Sequence, residues 1–540
     1  MFILKKKYNN LVLFTASIAF SLFFSFIHYY IPKSIDSGLV ISGIIKYPDH
    51  PSLMKEVFLS SFSLLNFFSA FILKLTNSIY FSSKIIIFLN TFFFTTGFVF
   101  LIYNISKSKF FSFLITLLIL LFDIKSGSGD YPTTYFSEHI YGSISFSLFV
   151  FFLGMFANNN LKICGIILSL FLIIHPVTSC WLLLHFLFLY LLFQLLNFKI
   201  ECKSFWNGFW LGLVISIFFL IYYKYFNSKN NNYDWGLVDK DFLYNFIKYF
   251  DGHRGIKEFY LKINIFILFI NIFLLWTIIK FKIEKKIFFL ISLIICLNFS
   301  GQIIFLISRF YFDFYPLFIK NIMPTRFLTF SSPILIPLSI SLAFKIINEN
   351  LVVNNNFLKN QFFLTIILAI LLITPYASFE RANIIYKNII EKKLIYNLQN
   401  VYLEDNFWKE IKKTNTSGHF ITLGNESKNK NYIYYISLKP SLLDTTALNF
   451  LPYFPHVSSY YKDVFNIVYG INIENLKNQL SNSSNIPEEI TINHFMSLDV
   501  NEWNKIKKKY NISGLVLNKN IKLKIKPYIY GKDFNFYLLN

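Results

Sequence analysis

The chain has 540 residues, 55% of them hydrophobic and 15% charged, with a mean hydropathy of +0.49. A water-soluble globular chain of this size needs more polar surface, so that class is excluded. The formal charge of +22 does not indicate nucleic-acid binding, because no basic helix or RNA-binding aromatic motif accompanies it. Up to residue 377 there are 30 Lys and Arg against 15 Asp and Glu, and beyond it 21 against 14. Most of the basic excess thus belongs to the apolar part, where Lys marks cytoplasmic loops or anionic-lipid contact. The wealth of Phe, Ile, Asn, Lys and Tyr also fits an AT-rich genome.

Lys5-Lys6-Lys7 precede an apolar run from Leu11 to Ile31. The run is too long for a signal peptide and no small-residue cleavage site follows, so it reads as an uncleaved first span. Further candidate spans are 84–104, 110–123, 141–157, 162–176, 178–197, 205–225, 259–280, 287–308, 328–347 and 361–377. Most of them approach the length the hydrocarbon core requires, 110–123 and 162–176 being shorter. The pair around His175-Pro176 reads as one helix broken by a hinge, since Pro removes a backbone donor.

Residues 51–75 are apolar but carry Lys55, Glu56 and Lys74 near their ends. With the N-terminus inside and this stretch not crossing, Lys107, Lys109, Lys162, Lys199, Lys203, Lys280, Lys282, Lys285 and Lys286 all become cytoplasmic. Residues 51–75 are therefore expected as interfacial or re-entrant helices on the outer face. The long loops 32–83, 124–140, 226–258 and 309–327 then all open outside, as does the tail.

The expected fold is an α-helical polytopic membrane protein of about eleven spans, residues 1–377, in a bacterial inner membrane. A soluble extracytoplasmic α/β or α+β domain, residues 378–540, follows it. In that tail His419–Leu423, Tyr432–Ser437, Gly514–Leu517 and Phe534–Leu539 read as strands, and 502–510 as a Lys-rich helix. Asn415 and Asn425 head Asn-X-Ser/Thr sites, which an Asn-rich chain yields by chance. Cys164, Cys180, Cys202 and Cys296 lie in or beside apolar spans without metal-ligand spacing, so neither a metal nor a disulfide framework is expected.

The polar constellations lie in the outer loops. Asp36, a few residues beyond the first span, stands where a carboxylate base could meet a sugar hydroxyl at the lipid–water boundary. The competing reading is that Asp36 caps the helix after it. Asp49 and His50, flanked by prolines, are substrate-binding candidates or a solvated turn. In the second loop Asp130, Tyr135, Glu138 and His139 form the densest polar patch, and Glu138-His139 open a span where ionisable groups are costly. Interfacial capping and a tyrosine belt account for the same residues without function.

His175 lies within about one turn of the outer face, as a substrate-binding candidate or a histidine bonded to a neighbouring helix. Asp239-Lys240-Asp241 could hold a divalent metal for a sugar nucleotide, or cap the helix Phe242–Phe250. The fourth loop carries Arg309, Asp313, Lys320 and Arg326 among aromatics. Arg326 is the best placed to grip phosphate, against a reading of lipid snorkelling. No Walker motif, dinucleotide fingerprint, Gly-X-Ser-X-Gly or His-Glu-X-X-His occurs, which argues against ATP-driven pumps, nucleotide-cofactor enzymes and common hydrolases.

This plan resembles the GT-C superfamily of membrane glycosyltransferases. The likeness rests on Ile35-Asp36 in a long first outer loop and on the segment Tyr47-Pro48-Asp49-His50-Pro51-Ser-Leu. That segment is similar to the Tyr-Pro-Pro-Leu stretch opening the second interfacial helix of that family. The tail, with Tyr510-Asn-Ile-Ser-Gly-Leu-Val-Leu517 and Phe534-Asn-Phe-Tyr537, is similar to the ends of related large bacterial membrane proteins.

The resemblance implies sugar transfer from a polyprenyl-phosphate donor to an envelope glycan or lipid acceptor on the outer face, without a nucleotide cofactor. Asp36 would activate the acceptor hydroxyl, and Arg326 with Arg309 or Lys320 would hold the donor phosphate. Glu138 and His139 would orient acceptor or sugar. The alternative is a non-enzymatic translocator or assembly factor for envelope polysaccharide or lipid. Ionisable residues sit at span ends rather than mid-span, which favours the enzyme.

Overall fold

A computed structural model describes residues 2–27, 30–124, 140–198, 202–228, 233–251, 254, 261–281, 283–322, 326–349, 377–378, 382–383, 386, 406–423, 433–475 and 486–539. In the membrane half α1 spans Phe2–Ile27, α2 Ser34–Ile41, α3 Leu53–Ser60, α4 Leu64–Thr76 and α5 Ile79–Ser106. Then come α6 Lys109–Leu121, α7 Ile140–Ala157, α8 Leu161–Ile174, α9 Pro176–Leu195 and α10 Lys203–Ser228. The series ends with α11 Lys240–Asn245, α12 Leu261–Lys280, α13 Lys285–Phe310, α14 Leu317–Asn321 and α15 Arg326–Glu349. The expected span 361–377 lies almost wholly outside the described residues.

Six of these helices (α1, α5, α9, α10, α13 and α15) are long and apolar enough to cross a membrane among the described residues. Four more, α6, α7, α8 and α12, are apolar but shorter. On α10, Trp210, Phe218 and Ile221 are 60%, 69% and 62% exposed. Large apolar side chains in such a continuous outward stripe require a hydrocarbon surround. The protein is embedded in a membrane.

Serine starts the early helices. Ser52, Ser63, Ser78 and Ser108 cap α3, α4, α5 and α6, each accepting from a backbone N–H left unpaired in the first turn. Asn77 and Lys107 close α4 and α5 in the left-handed conformation.

Side-chain pairs fix the direction of each helix relative to its neighbour. Asn9 bonds Tyr103, Ser21 bonds Thr95, and Lys84 donates to the Ser25 and Phe26 carbonyls. The low numbers of α1 thus meet the high numbers of α5, and the two helices are antiparallel. The segment between them begins and ends at the same end of the bundle. Within it α3 and α4 meet at an angle of 99°. Helix α5 runs parallel to α7 (Asn90 with Ser143 and Ser147, Gly97 against Gly154), and α8 parallel to α10 (Lys162 against Gly208, Ser169 with Ser216). Helix α13 runs antiparallel to α9 (His185 with Ser300, Phe193 with Phe289) and to α15 (Asn298 with Ser331 and Ser332, Gly301 against Leu328).

Two crossings are made close by glycine. A Cβ on Gly154 would lie 2.3 Å from the Gly97 carbonyl oxygen, and one on Gly208 2.0 Å from that of Lys162. Small residues let backbones touch, which is how helices gain contact where lipid offers no hydrophobic drive.

The threading leaves the described residues 30–78, 233–251, 254 and 311–322 at one end. Lys107, Lys109, Lys162, Lys203, Lys280, Lys285 and Lys286 fall at or near helix ends on the other side, where Lys107 pairs with Glu284 at 3.0 Å. The C-terminal residues sit on the loop end. Their sheet has the order β3-β4-β6-β5, with β3 His419–Thr422, β4 Ile512–Asn518, β5 Ile529–Tyr530 and β6 Phe534–Leu538. Only β3 and β4 are parallel. A separate two-residue pairing, β1 Asp123–Ile124 with β2 Ala377–Ser378, brings the start of the tail to the second loop. The expected helix appears as Val500–Tyr510, closed at its start by an Asp499–Glu502 capping box.

The described part of Tyr432–Ser437, expected as a strand, is not one. Ile433–Ser437 forms a wide helical turn, because Tyr434 and Tyr435 are drawn into the seam with the first loop. Burial there outweighs the β preference of Tyr and Ile.

Candidate functional site

The seam between the first loop and the tail is built from acids and tyrosines. Asp36 lies in the first turn of α2 and is fully buried. It is not the helix cap, since Lys33 holds that position. Its Oδ1 accepts a hydrogen bond from the Tyr435 hydroxyl. A buried carboxylate is tolerated only when such donors replace water, and a phenol donating to a charged oxygen makes a strong bond. Ser34, two residues earlier, accepts from Ser69 of α4 at 2.9 Å, and a Cβ on Gly38 would lie 3.0 Å from Leu73 and Ser69. These contacts press α2 onto α4 and fix the direction of Asp36.

Tyr47 and Tyr434 face each other, hydroxyl to hydroxyl, at 3.4 Å. Burial raises both phenols well above the ordinary tyrosine range, and the carboxylates Asp444 and Asp36 push the same way. Both stay protonated and remain hydrogen-bond donors. The tyrosines and the carboxylates Asp36 and Asp444 therefore form one electrostatically coupled group at the loop end of the bundle.

Two further contacts staple this region. His456 Nε2 lies 3.2 Å from Glu56 Oε1, which also accepts from Ser60 at 2.8 Å. Asp49 accepts from Tyr233 at 3.0 Å, and Lys55 donates to that same phenol at 3.2 Å. Burial, with Asp49 beside it, pushes the Tyr233 phenol up to about 12. His50 Nδ1 stands 3.1 Å from the Pro51 carbonyl, and its ring meets that of His419 edge-on at 6.4 Å. His419, at the start of β3, is fully buried, and burial pulls its imidazole down to about 4.

The stretch 445–463 ties three loops together. Arg254 forms a buried ion pair with Asp251 at 2.7 Å, donates to the Asn449 carbonyl and stacks its guanidinium 4.5 Å from the Tyr453 ring centre. Asn321 donates to the Pro452 carbonyl at 2.8 Å. Asp239 caps α11 through Phe242 N–H at 2.8 Å and pairs with Lys462 at 2.9 Å, so its carboxylate is already engaged. Among the described residues no group of three metal-ligating side chains converges.

His175 caps α9, with Pro176 at the first helical position. Helix α8 ends at Ile174, so the break falls where the His-Pro pair places it. Next to it Phe149, Thr178, Trp181, Leu297 and Phe330 line a cavity of about 20 Å3. That holds about one water and no sugar.

In the fourth loop Arg309 is exposed in the last turn of α13, while Lys320 of α14 is 6% exposed. The Lys320 ammonium lies 4.0 Å from the Phe312 ring centre and 4.8 Å from that of Tyr244. Burial lowers it from the usual lysine range and Lys248 adds to this, while Asp313 opposes. Asp130, Tyr135, Glu138 and His139 lie outside the described residues, as does the side chain of Arg326.

Asp36 and His50 thus meet the tail in one seam, Asp49 beside them bonds Tyr233 of the third loop, and Arg309 and Lys320 stand on another loop at the same end. Tyr434, Tyr435, Asp444 and His456 belong to the seam without having stood out in the sequence as site residues, and Glu56 and His419, noted there only for topology and a strand, join them. Tyr435 and Asp36 are 399 positions apart, and only the docking of the tail brings them together. No protein-family model matches the chain, and no curated protein matches it.

Proposed function

We propose that this protein is a membrane glycosyltransferase of the cell envelope. It moves a sugar from a polyprenyl-phosphate donor to a glycan or lipid acceptor outside a bacterial inner membrane. The observation that carries the reading is Asp36, a carboxylate buried at the loop end of the bundle, beside the bent pair α3–α4 and beneath the tail. The gathering of lysines at the opposite end supports a cytoplasmic N-terminus, about eleven spans and a tail on the outer face.

In the reaction, the acceptor hydroxyl takes the place of Tyr435 against Asp36. Its proton passes to the carboxylate as its oxygen attacks the anomeric carbon. The bond from that carbon to the phosphate oxygen breaks, and the electron pair leaves with the lipid phosphate. Arg326 with Arg309 or Lys320 stabilises that leaving group. Glu138 and His139 orient acceptor or sugar, and no nucleotide takes part.

Asp36→Asn measured with lipid-linked donors tests the chemistry: transfer falls at least about 100-fold if Asp36 is the base. Undiminished transfer removes it. A single cysteine at Lys285 in a cysteine-free background tests orientation with an impermeant thiol reagent. Labelling from outside overturns the proposed threading.

The second reading, a non-enzymatic translocator or assembly factor, is favoured by one observation: Asp36 is fully covered, with Tyr435 already on it. Tyr435→Phe separates the two. It leaves the base in place for an enzyme, whereas a purely structural seam only loosens.

A further inference from the structure

The lysines of the chain are not spread evenly. Residues 505–532 hold nine lysines and no acidic residue among 28, against 51 Lys and Arg among all 540. Lys509 pairs with Asp463 and Lys524 donates to the Ser497 carbonyl, but among the described residues no ion pair reaches Lys519, Lys522, Lys526 or Lys532. Unpaired like charges held side by side repel one another, so an anion that settles on this surface relieves it.

From Ile521 to Lys532 the side chains alternate. Ile521, Leu523, Ile525 and Ile529 pack on the hydrophobic core, while Lys522, Lys524, Lys526, Tyr528, Tyr530 and Lys532 are exposed. The run bends at Lys524–Ile525 and passes through β5, and the alternation holds across both. Lysines on an edge strand keep other strands off it. Two bare tyrosines, Tyr528 and Tyr530 at 59% and 70% exposure, undo that protection, so edge guarding does not explain the pattern. Successive outward side chains in an extended run stand about 7 Å apart. Donors spread along a line suit repeated charges on a polymer, whereas a single small anion needs donors that converge. The helix Asn406–Lys413 packs beside β5, a Cβ on Gly531 lying 2.8 Å from Phe407, and it adds the exposed Lys412 and Lys413.

We propose that the exposed face of residues 522–532 binds an anionic polysaccharide, with the lysines against its carboxylate or phosphate groups and Tyr528 and Tyr530 against its sugar rings. A pyranose presents an apolar C–H face and a polar rim, which a tyrosine ring with its hydroxyl matches. Position in the fold favours a ligand from the aqueous side over the bilayer. The tail meets the first loop through His419 of β3, and β5 is the opposite edge of the sheet. The aliphatic residues that a bilayer would take up are those turned inward. No arginine lies within 505–532, so the bidentate base contacts of nucleic-acid readers are missing there. This inference goes beyond the transferase reading and does not need it. Its test reads binding alone, so failure of that reading leaves it standing.

The test uses the full chain in nanodiscs of phosphatidylcholine. The probes are fluorescent polygalacturonate, a carboxylated glycan, and a phosphorylated mannan, with neutral dextran as the control. At least one of the two anionic glycans should bind, and dextran should not. Lys522→Gln combined with Lys524→Gln and Lys526→Gln, all on exposed side chains, should weaken binding about tenfold, and the same three positions changed to Arg should keep it. Tyr528→Ser with Tyr530→Ser should weaken it at least about threefold at unchanged charge. Undiminished binding in the Gln or the Ser variant overturns the proposal, as does binding of neither anionic glycan. Dextran, oligothymidylate or phosphatidylglycerol vesicles binding as tightly would overturn the assignment to an anionic polysaccharide.

Discussion

Acid should loosen the seam between the first loop and the tail through His419. Its Nδ1 lies 2.9 Å from the Tyr510 carbonyl, which fixes the proton on that nitrogen. Nε2 is buried and has no hydrogen-bond partner among the described residues. Protonating it would place an unpaired charge among Tyr47, His50 and Lys55. The imidazole is held near 4 when folded, against 6.5 for the ordinary group. The unfolded chain therefore binds the extra proton first, and folding stability falls as pH falls from 6.5 towards 4. At about 1.4 kcal/mol per pH unit this amounts to about 3 kcal/mol lost across the window, and none above it. Thermal unfolding of the detergent-solubilised protein, read through tail tryptophans Trp408 and Trp503, should show the melting temperature dropping steeply between pH 6.5 and 4.5. His419→Gln should flatten that part of the curve while leaving the behaviour above pH 7 largely unchanged. Equal slopes for the two proteins would refute the reasoning. So would a wild-type curve that is flat across the window.

Other changes probe the packing and the seam. Gly208→Val drives a Cβ to 2.0 Å from the Lys162 carbonyl oxygen, which no rotamer can relieve. Helices α8 and α10 must separate, costing about 1–3 kcal/mol or more, and the yield of folded protein in size-exclusion chromatography should drop. Asp251→Asn leaves the Arg254 guanidinium buried without its partner and should cost about 3–5 kcal/mol, read as earlier proteolysis of the tail. The double change with Arg254→Met should cost less than the sum of the two single changes, since the stranded charge is gone. Tyr435→Phe removes the hydrogen bond to Asp36 and should cost about 1.5–3 kcal/mol in seam stability, measured by hydrogen exchange of α2.

That the chain is a helical membrane protein was legible from composition and run length alone, and six of the expected stretches form helices long and apolar enough to cross among the described residues. Hydrocarbon demands long continuous apolar stretches and leaves no other arrangement for such a chain. The lysines marked the end away from the loops, and the charges near the ends of 51–75 pointed to a stretch that returns to its own side. The antiparallel contact of α1 with α5 and the 99° bend agree with that. The capping of α11 by Asp239, the break at His175-Pro176 and the strands β3, β4 and β6 were equally local, because each depends on a few adjacent residues.

The partners of Asp36 were not local. Its position beyond the first span was visible, but nothing near residue 435 signals a phenol aimed at it. A stretch with strand-like composition became a helical turn because two tyrosines gained more from the seam than from a sheet. The aromatic cage of Lys320 also joins side chains from different loops, one of them over seventy positions away. Local sequence pattern sets which segments enter the bilayer, since that depends on each segment's own transfer from water. Which buried charges meet which donors is decided only when distant segments exclude water together.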